Sequence, residues 1–529
     1  METDGVSPEG ERSPREPKNI VVLCDGTGNE VAGDLSNVLK LFRIVKKGAK
    51  QRVYYHPGVG TVGEEREWAP KLQKAKAIFG LATGWGLDDN ILEAYRFIAN
   101  VYEDGDRIFL FGFSRGAYTV RCLAGFIHMI GLLRPDQINI ADYALTTYKR
   151  SGRGHERKQV AAVRQEVARQ GQESPAVAEG PEAAQRDEDE PFEVAWDFAR
   201  TTGARRATIH FMGVWDTVAS MIVPRPDRLG FQLRSLPYTR RNPSVRAFRH
   251  AMAIDERRRM FRLNRWDENQ AFVVNPFSRP KKIEPQDCRQ IWFAGVHSDI
   301  GGGYAEKDSS LSKLPLIWMV EEATRLEHGL MINTGMFNHL ARGIPREGWT
   351  HRYVKPDPCG PMHVSLKGFG WKFMEYLPKS TFYREWRTGT LGFYFPLGEP
   401  RPVPPAEELH WSVDERRAGC PGSPPVPPGE RVPGCLYPPY EPENLRKRQD
   451  LLPPDGPGAA AGRALIGIPV LLFIAALSAL LIWKSFDRAG SFLWGLLVAI
   501  ALTAGLALLA LALTSAFGLL RNALGRKDE

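Results

Sequence analysis

Cysteine is scarce in this chain: six residues in 529, at positions 24, 122, 288, 359, 420 and 435. No two form the close pair that metal or redox sites use, so no metal and no cofactor is expected. Cys24 and Cys122 fall inside apolar runs and read as small core residues. A reducing compartment is the simplest setting for such cysteine usage. Residues 1–17 are polar and charged with several prolines, and lack the apolar core of a signal peptide. The bulk of the chain is therefore expected in the cytoplasm. No Gly-Lys-Ser or Gly-Lys-Thr follows a glycine-rich loop, which excludes a mononucleotide phosphate cradle. Helix-turn-helix, zinc-finger and RNA-binding signatures are absent, so the formal charge of +9 does not point to nucleic acid. A basic surface fits an anionic bilayer better. No repeat of solenoid or propeller period occurs.

What the chain does have is Asp106-Arg107-Ile108-Phe109-Leu110-Phe111-Gly112-Phe113-Ser114-Arg115-Gly116-Ala117. An apolar strand runs into Gly-Phe-Ser-Arg-Gly, and Tyr118 to Met129 follows with helical apolar spacing. This is the nucleophile-elbow pattern, with a serine on a tight strand-to-helix turn. Gly112 and Gly116 flank Ser114 where a Cβ would collide as the helix folds back over the strand. The helix beginning after Ser114 directs backbone N–H groups at any oxyanion formed there.

Serine is a weak nucleophile at neutral pH and needs a base steadied by a carboxylate. Two later strand-like runs end on suitable partners. Thr208 to Trp215 delivers Asp216, and Gln290 to Val296 delivers His297. The order Ser114, Asp216, His297 is the one an α/β-hydrolase uses. All three sit past the carboxyl ends of strands, where open α/β sheets bind ligands. His250, in a stretch that reads as helical, is the rival base. A fourth run, Asn19 to Cys24, stops at Asp25-Gly26-Thr27-Gly28-Asn29. That glycine-rich loop can supply the second oxyanion N–H, from Gly26 or Thr27, beside that of Arg115. An aspartyl-phosphate enzyme, whose motif also ends in Asp-Gly-Thr, needs an aspartate where this chain has Leu23.

Five segments together resemble one family: Asn19–Asn29, Tyr55–Thr61, Asp106–Tyr118, Gly213–Val218 and Val296–Tyr304. The chain is similar to the α/β-hydrolase-fold lipases typified by the phospholipase effectors of bacterial type VI secretion, and to their uncharacterised relatives. The resemblance implies an α/β fold with a mostly parallel sheet covered on both faces. It also implies Ser114 as nucleophile, Asp216 as acid and His297 as base.

The expected layout follows composition. Residues 1–17 form a disordered tail and residues 18–398 the catalytic domain. Residues 151–190, rich in Arg, Gln, Glu and Ala, form a flexible charged insertion. From residue 399 to 462 prolines recur, which predicts an extended linker. Residues 464–483 and 491–520 carry no charge, and each is long enough to cross a hydrocarbon core of ~30 Å. They predict a transmembrane hairpin over 463–521, with a cytoplasmic tail at 522–529. Flanking Arg and Lys put the catalytic domain on the cytoplasmic side, that of a bacterial inner membrane.

The chain thus reads as a membrane-anchored serine hydrolase. It would cleave carboxylic esters, phospholipid or another acyl lipid first, through an acyl-enzyme on Ser114. The bilayer would be its partner besides the lipid or ester substrate. Two alternatives stay open: a catalytically silent scaffold of the same fold, and a soluble-ester or thioester hydrolase.

Overall fold

The computed structural model describes residues 15–26, 35–58, 86–150, 194–195, 197–218, 221–224, 231–234, 236–273, 283–366, 369–376, 379–380, 393–394, 396–405, 407–419, 440 and 442–446. Thirteen strands run in chain order among them. They are β1 (Asn19–Cys24), β2 (Gln51–His56), β3 (Arg107–Phe113), β4 (Ile209–Trp215), β5 (Met221–Pro224), β6 (Phe231–Arg234) and β7 (Val245–Ala253). Then come β8 (Ala271–Val273), β9 (Ile283–Pro285), β10 (Asp287–Phe293), β11 (Lys379–Ser380), β12 (Phe393–Tyr394) and β13 (Glu408–Leu409). Seven of them make one sheet in the order β13-β10-β7-β4-β3-β1-β2, and every pairing in it is parallel. The remaining six form three small antiparallel ribbons, β5–β6, β8–β9 and β11–β12.

A parallel sheet needs cover on both faces, because its crossovers bring helices to each side. Strand alternation shows this directly. Ile20, Val22 and Leu110 enter one core with Tyr95, Tyr118 and Phe126. Val21, Leu23, Phe109 and Phe111 enter the opposite core with Leu314 and Met319. The first face is covered by α2 (Leu87–Val101) and α3 (Arg115–Ile130). The second is covered by α1 (Asn37–Ile44) and α5 (Ser310–Arg325), with the short α4 (His297–Gly301) between β10 and α5. Each fully buried aromatic or branched side chain here contributes about 1.5–3 kcal/mol.

Strand order reverses between β1 and β3. From β1 the chain goes outward to β2, then crosses back to β3 and builds the rest of the sheet on the other side. Ligands bind outside the carboxyl ends of strands at such a point. Asp25 follows β1 there and Ser114 follows β3.

Three expectations need correction. Residues 399–462 do not behave as a spacer throughout. β13 adds to the sheet beside β10, and Val403, Val413, Tyr440 and Leu445 share a third core with Met252, Ile254 and Trp292. Enough apolar side chains lie between the prolines to pack, which a proline count hides. Cys359 is disulfide-bonded, which counts against the reducing compartment expected from the cysteine usage; Cys24, Cys122 and Cys288 are free.

The third correction concerns the membrane. Among the described residues no helix is long and apolar enough to cross one. α3 and α5 have 16 residues each, a rise of about 24 Å, short of the ~30 Å needed. The expected integral membrane protein with the bilayer as partner is not carried forward; the expected hairpin, 463–521, lies outside the described residues. So do the insertion at 151–190 and the tail up to residue 14. At the end of that tail, Arg15 pairs with Asp106 at 2.7 Å.

Candidate active site

The turn after β3 is built as its glycines require. A Cβ on Gly112 would lie 2.5 Å from the Gly116 carbonyl oxygen. One on Gly116 would lie 2.5 Å from the Asp25 carbonyl oxygen and closer still to that of Cys24. Only hydrogen at both positions lets α3 fold back over β3 and against the end of β1. Ser114 between them has φ 57° and ψ −117°, a region that L-residues rarely occupy. Its N–H donates to the Trp215 carbonyl at 3.1 Å, extending the β3–β4 ladder by one bond. Ser114 is thereby held beside the end of β4, where Asp216 begins.

Asp216 also has a positive φ, 39°, and is fully buried. Its N–H donates to the Ala251 carbonyl at 2.8 Å, and its Oδ1 accepts from the Ala253 N–H at 2.9 Å. His297 opens α4 after β10 and is 4% exposed. Its Nδ1 lies 2.5 Å from Asp216 Oδ2. That contact puts the imidazole proton on Nδ1 and leaves Nε2 as the basic atom. The ring sits between Phe113 and Phe261, with centroids at 4.7 and 4.8 Å. Since Phe113 adjoins Ser114, one aromatic contact ties the imidazole to the elbow.

Sequence reasoning missed Arg401. Its Nη1 donates to Asp216 Oδ1 at 2.6 Å and its Nη2 to Oδ2 at 3.1 Å. It also donates to the carbonyls of Ala253 at 3.1 Å and Phe261 at 2.5 Å. Burial opposes ionisation of Asp216, but the Arg401 charge and the His297 bond outweigh it and hold the carboxyl well below its ordinary range. Burial pushes the His297 imidazole below its ordinary value, more than the Asp216 carboxylate raises it. Near the imidazole, Glu256 accepts the His297 N–H at 3.3 Å and is itself gripped by Arg258 at 2.8 Å.

His250 is not at the site in the same sense. Its stretch is β7, a central strand, rather than a helix. The ring is fully buried, and its Nε2 accepts the Thr217 N–H at 3.1 Å. Burial and the neighbouring Arg121 push it well below its ordinary value. It is a neutral strut under the residue after Asp216, with its acceptor already engaged.

The oxyanion candidates divide. Arg115 is the first residue of α3, directly after Ser114. The Gly26 N–H donates to the Asp25 carboxylate at 2.7 Å. Thr27 lies outside the described residues. Asp25 also accepts from Tyr55 OH at 2.9 Å and from the Ser36 hydroxyl, so this loop is tied to β2 and to the start of α1.

With this geometry in hand, the chain can be set beside known proteins. The family description "T6SS, Phospholipase effector Tle1-like, catalytic domain" matches residues 18–322, more than half of the chain. The chain belongs to this family. An uncharacterised Saccharomyces cerevisiae protein is 30% identical over 252 residues, 46% of this chain and 32% of that protein. A crystal structure of an uncharacterised Pseudomonas aeruginosa protein is 17% identical, covering 58% of this chain and 46% of that one, with a TM-score of 0.30. The Tle1 effector bound to the VgrG spike of the type 6 secretion system is 16% identical, covering 58% and 57%, with a TM-score of 0.25. The chain thus spans about a third of the yeast protein and about half of each solved one. Overlays at these TM-scores carry no argument about the site. Arg401 lies beyond the matched Tle1-like residues.

Proposed function

We propose that this Tle1-like chain is a serine hydrolase of carboxylic esters, with phospholipid or another acyl lipid as its substrate class. The observation that carries this is the buried Asp216–His297 hydrogen bond at 2.5 Å, with the imidazole packed on Phe113, the residue before a serine in a strained elbow. His297 Nε2 takes the Ser114 proton as Oγ attacks the ester carbonyl, and Asp216 stabilises the imidazolium that results. The Arg115 N–H supports the oxyanion, and either Gly26, once its amide leaves Asp25, or Thr27 supplies the second donor. The imidazolium then protonates the leaving alcohol. Water, deprotonated by the same imidazole, cleaves the acyl-enzyme and restores Ser114. Family membership supports a phospholipid over a small ester.

Two measurements test this. A fluorophosphonate should label the protein at Ser114, and Ser114→Ala should abolish the label; no label on the folded protein favours a silent scaffold. Phospholipid vesicles should be hydrolysed faster than short water-soluble esters. Vesicle hydrolysis at background, with soluble esters or thioesters turned over, would move the substrate away from lipids.

A further inference from the structure

Arg401 comes from a proline-flanked segment 185 residues along the chain from Asp216, yet both its terminal nitrogens reach that carboxylate. It is 5% exposed. Four contacts fix its guanidinium: two to Asp216, one to the Ala253 carbonyl and one to the Phe261 carbonyl. The Asn444 side chain spans the carbonyls of Arg401 and Ile254 at 3.0 Å each, pinning the segment itself.

We propose that Arg401 is a positioning residue of the hydrolytic site: it holds Asp216 ionised and aimed at His297 Nδ1, and withholds part of that negative charge from the imidazole. This rests on the roles proposed above for Ser114, Asp216 and His297. A carboxylate gripped by a guanidinium fork has lost its rotational freedom. Three donors besides His297 reach Asp216, two from Arg401 and the Ala253 N–H, so Oδ2 keeps one fixed direction towards the imidazole.

The charges around His297 decide the sign. After β4 there is Asp216, with Arg401 on it. After β7 there are Glu256 and Arg258, which bind each other through two contacts at 2.9 and 2.8 Å and largely cancel. On α4 itself Asp299 is engaged by His363 at 2.7 Å. The dominant uncancelled pull on the imidazole proton is therefore Asp216, moderated by Arg401. Removing Arg401 bares the carboxylate and makes it harder to ionise. Both effects raise the proton affinity of the Asp216–His297 pair. A base that must be unprotonated to act then fails at a higher pH.

The test reads the imidazole itself. In the full-length protein with 13C-labelled histidine, the His297 ring resonance, assigned with His297→Gln, is titrated by NMR. Wild type should titrate below the ordinary ~6.5. Arg401→Gln should move the midpoint upward by about one unit, tenfold in proton affinity, and Arg401→Lys should recover part of the shift. A folded Arg401→Gln that titrates where wild type does overturns the proposal. Should that variant not fold, Arg401→Lys carries the test: a folded Arg401→Lys with its midpoint no higher than wild type overturns the proposal. The readout does not need turnover: a shifted midpoint in a protein without esterase activity would sink the hydrolase assignment and leave the role of Arg401 standing.

Discussion

Ser114 is held at φ 57°, a conformation that costs on the order of 1–3 kcal/mol for a residue with a Cβ. Ser114→Gly should therefore raise stability by about 1 kcal/mol while abolishing fluorophosphonate labelling. Thermal unfolding and labelling of the same sample check both; loss of stability would show that the serine is not strained. Asp216→Asn should lower kcat by about 10⁴-fold, since the amide favours the wrong imidazole tautomer, and destabilise by about 3–5 kcal/mol, since it removes the carboxylate that compensates the buried Arg401 charge. The depressed His297 value sets the pH response. An imidazole below its ordinary value is already deprotonated at mildly acidic pH, so the acid limb of kcat/KM should fall below ~6.5. Ser114, Asp216 and His297, the triad proposed here, stand out in the sequence because each ends an apolar run. Arg401 does not, since nothing local marks an arginine among prolines as the partner of a carboxylate in another strand. His250 misleads for a related reason. Arg, Ala and Met around it favour helix locally, and only the central place of β7 overrides them.

At the level of elements, the elbow carries the site and a buried ionic cluster joins α1 to α5. Gly116→Ala drives a methyl into the backbone after β1, so it should destabilise by about 2 kcal/mol or more. It should also displace Asp25 and slow labelling at Ser114; an unaffected labelling rate would contradict that packing. Between α1 and α5 sits a buried knot. Lys313 bonds Glu306 at 2.6 Å, and Lys40 lies 3.7 Å from the same carboxylate, fully buried. Burial, aided by repulsion from Lys313, pushes Lys40 down to about 7 from 10.5. In the unfolded chain Lys40 keeps its proton up to about 10.4. Between these values the unfolded state binds the extra proton, so this group makes stability rise with pH across that window and adds no slope below it. Lys40→Met should flatten that slope and stabilise the protein at pH 7 by on the order of 1–3 kcal/mol. Denaturant unfolding at pH 7 and pH 10 measures this, and an unchanged slope would contradict it. The strands leading to Asp25, Ser114, Asp216 and His297 and the helix after Ser114 were legible because their apolar runs are regular. The lysine knot was not, because Lys40 and Lys313 look like ordinary solvated positions in their helices.

Over the whole molecule, most of the sheet was legible, but β7 and the far edge were not. β13 has two residues, too short to announce a strand, and its neighbourhood is dominated by proline. Arg401 nonetheless completes the Asp216 environment, and Val403, Val413, Tyr440 and Leu445 pack in one core with Trp292. A chain ending at residue 398 should therefore lose both stability and Ser114 reactivity. Full labelling of such a truncated protein would return the segment to the role of a spacer. The family match stops at residue 322, so this dependence lies outside what membership alone implies.

The most direct measurement is rapid-quench mass spectrometry with a p-nitrophenyl acyl ester. A burst of nitrophenol should accompany one acyl group on the peptide bearing residue 114. Both should vanish in Ser114→Ala and slow by orders of magnitude in His297→Ala. A burst with the acyl group on another residue, or turnover untouched by either substitution, would contradict the account.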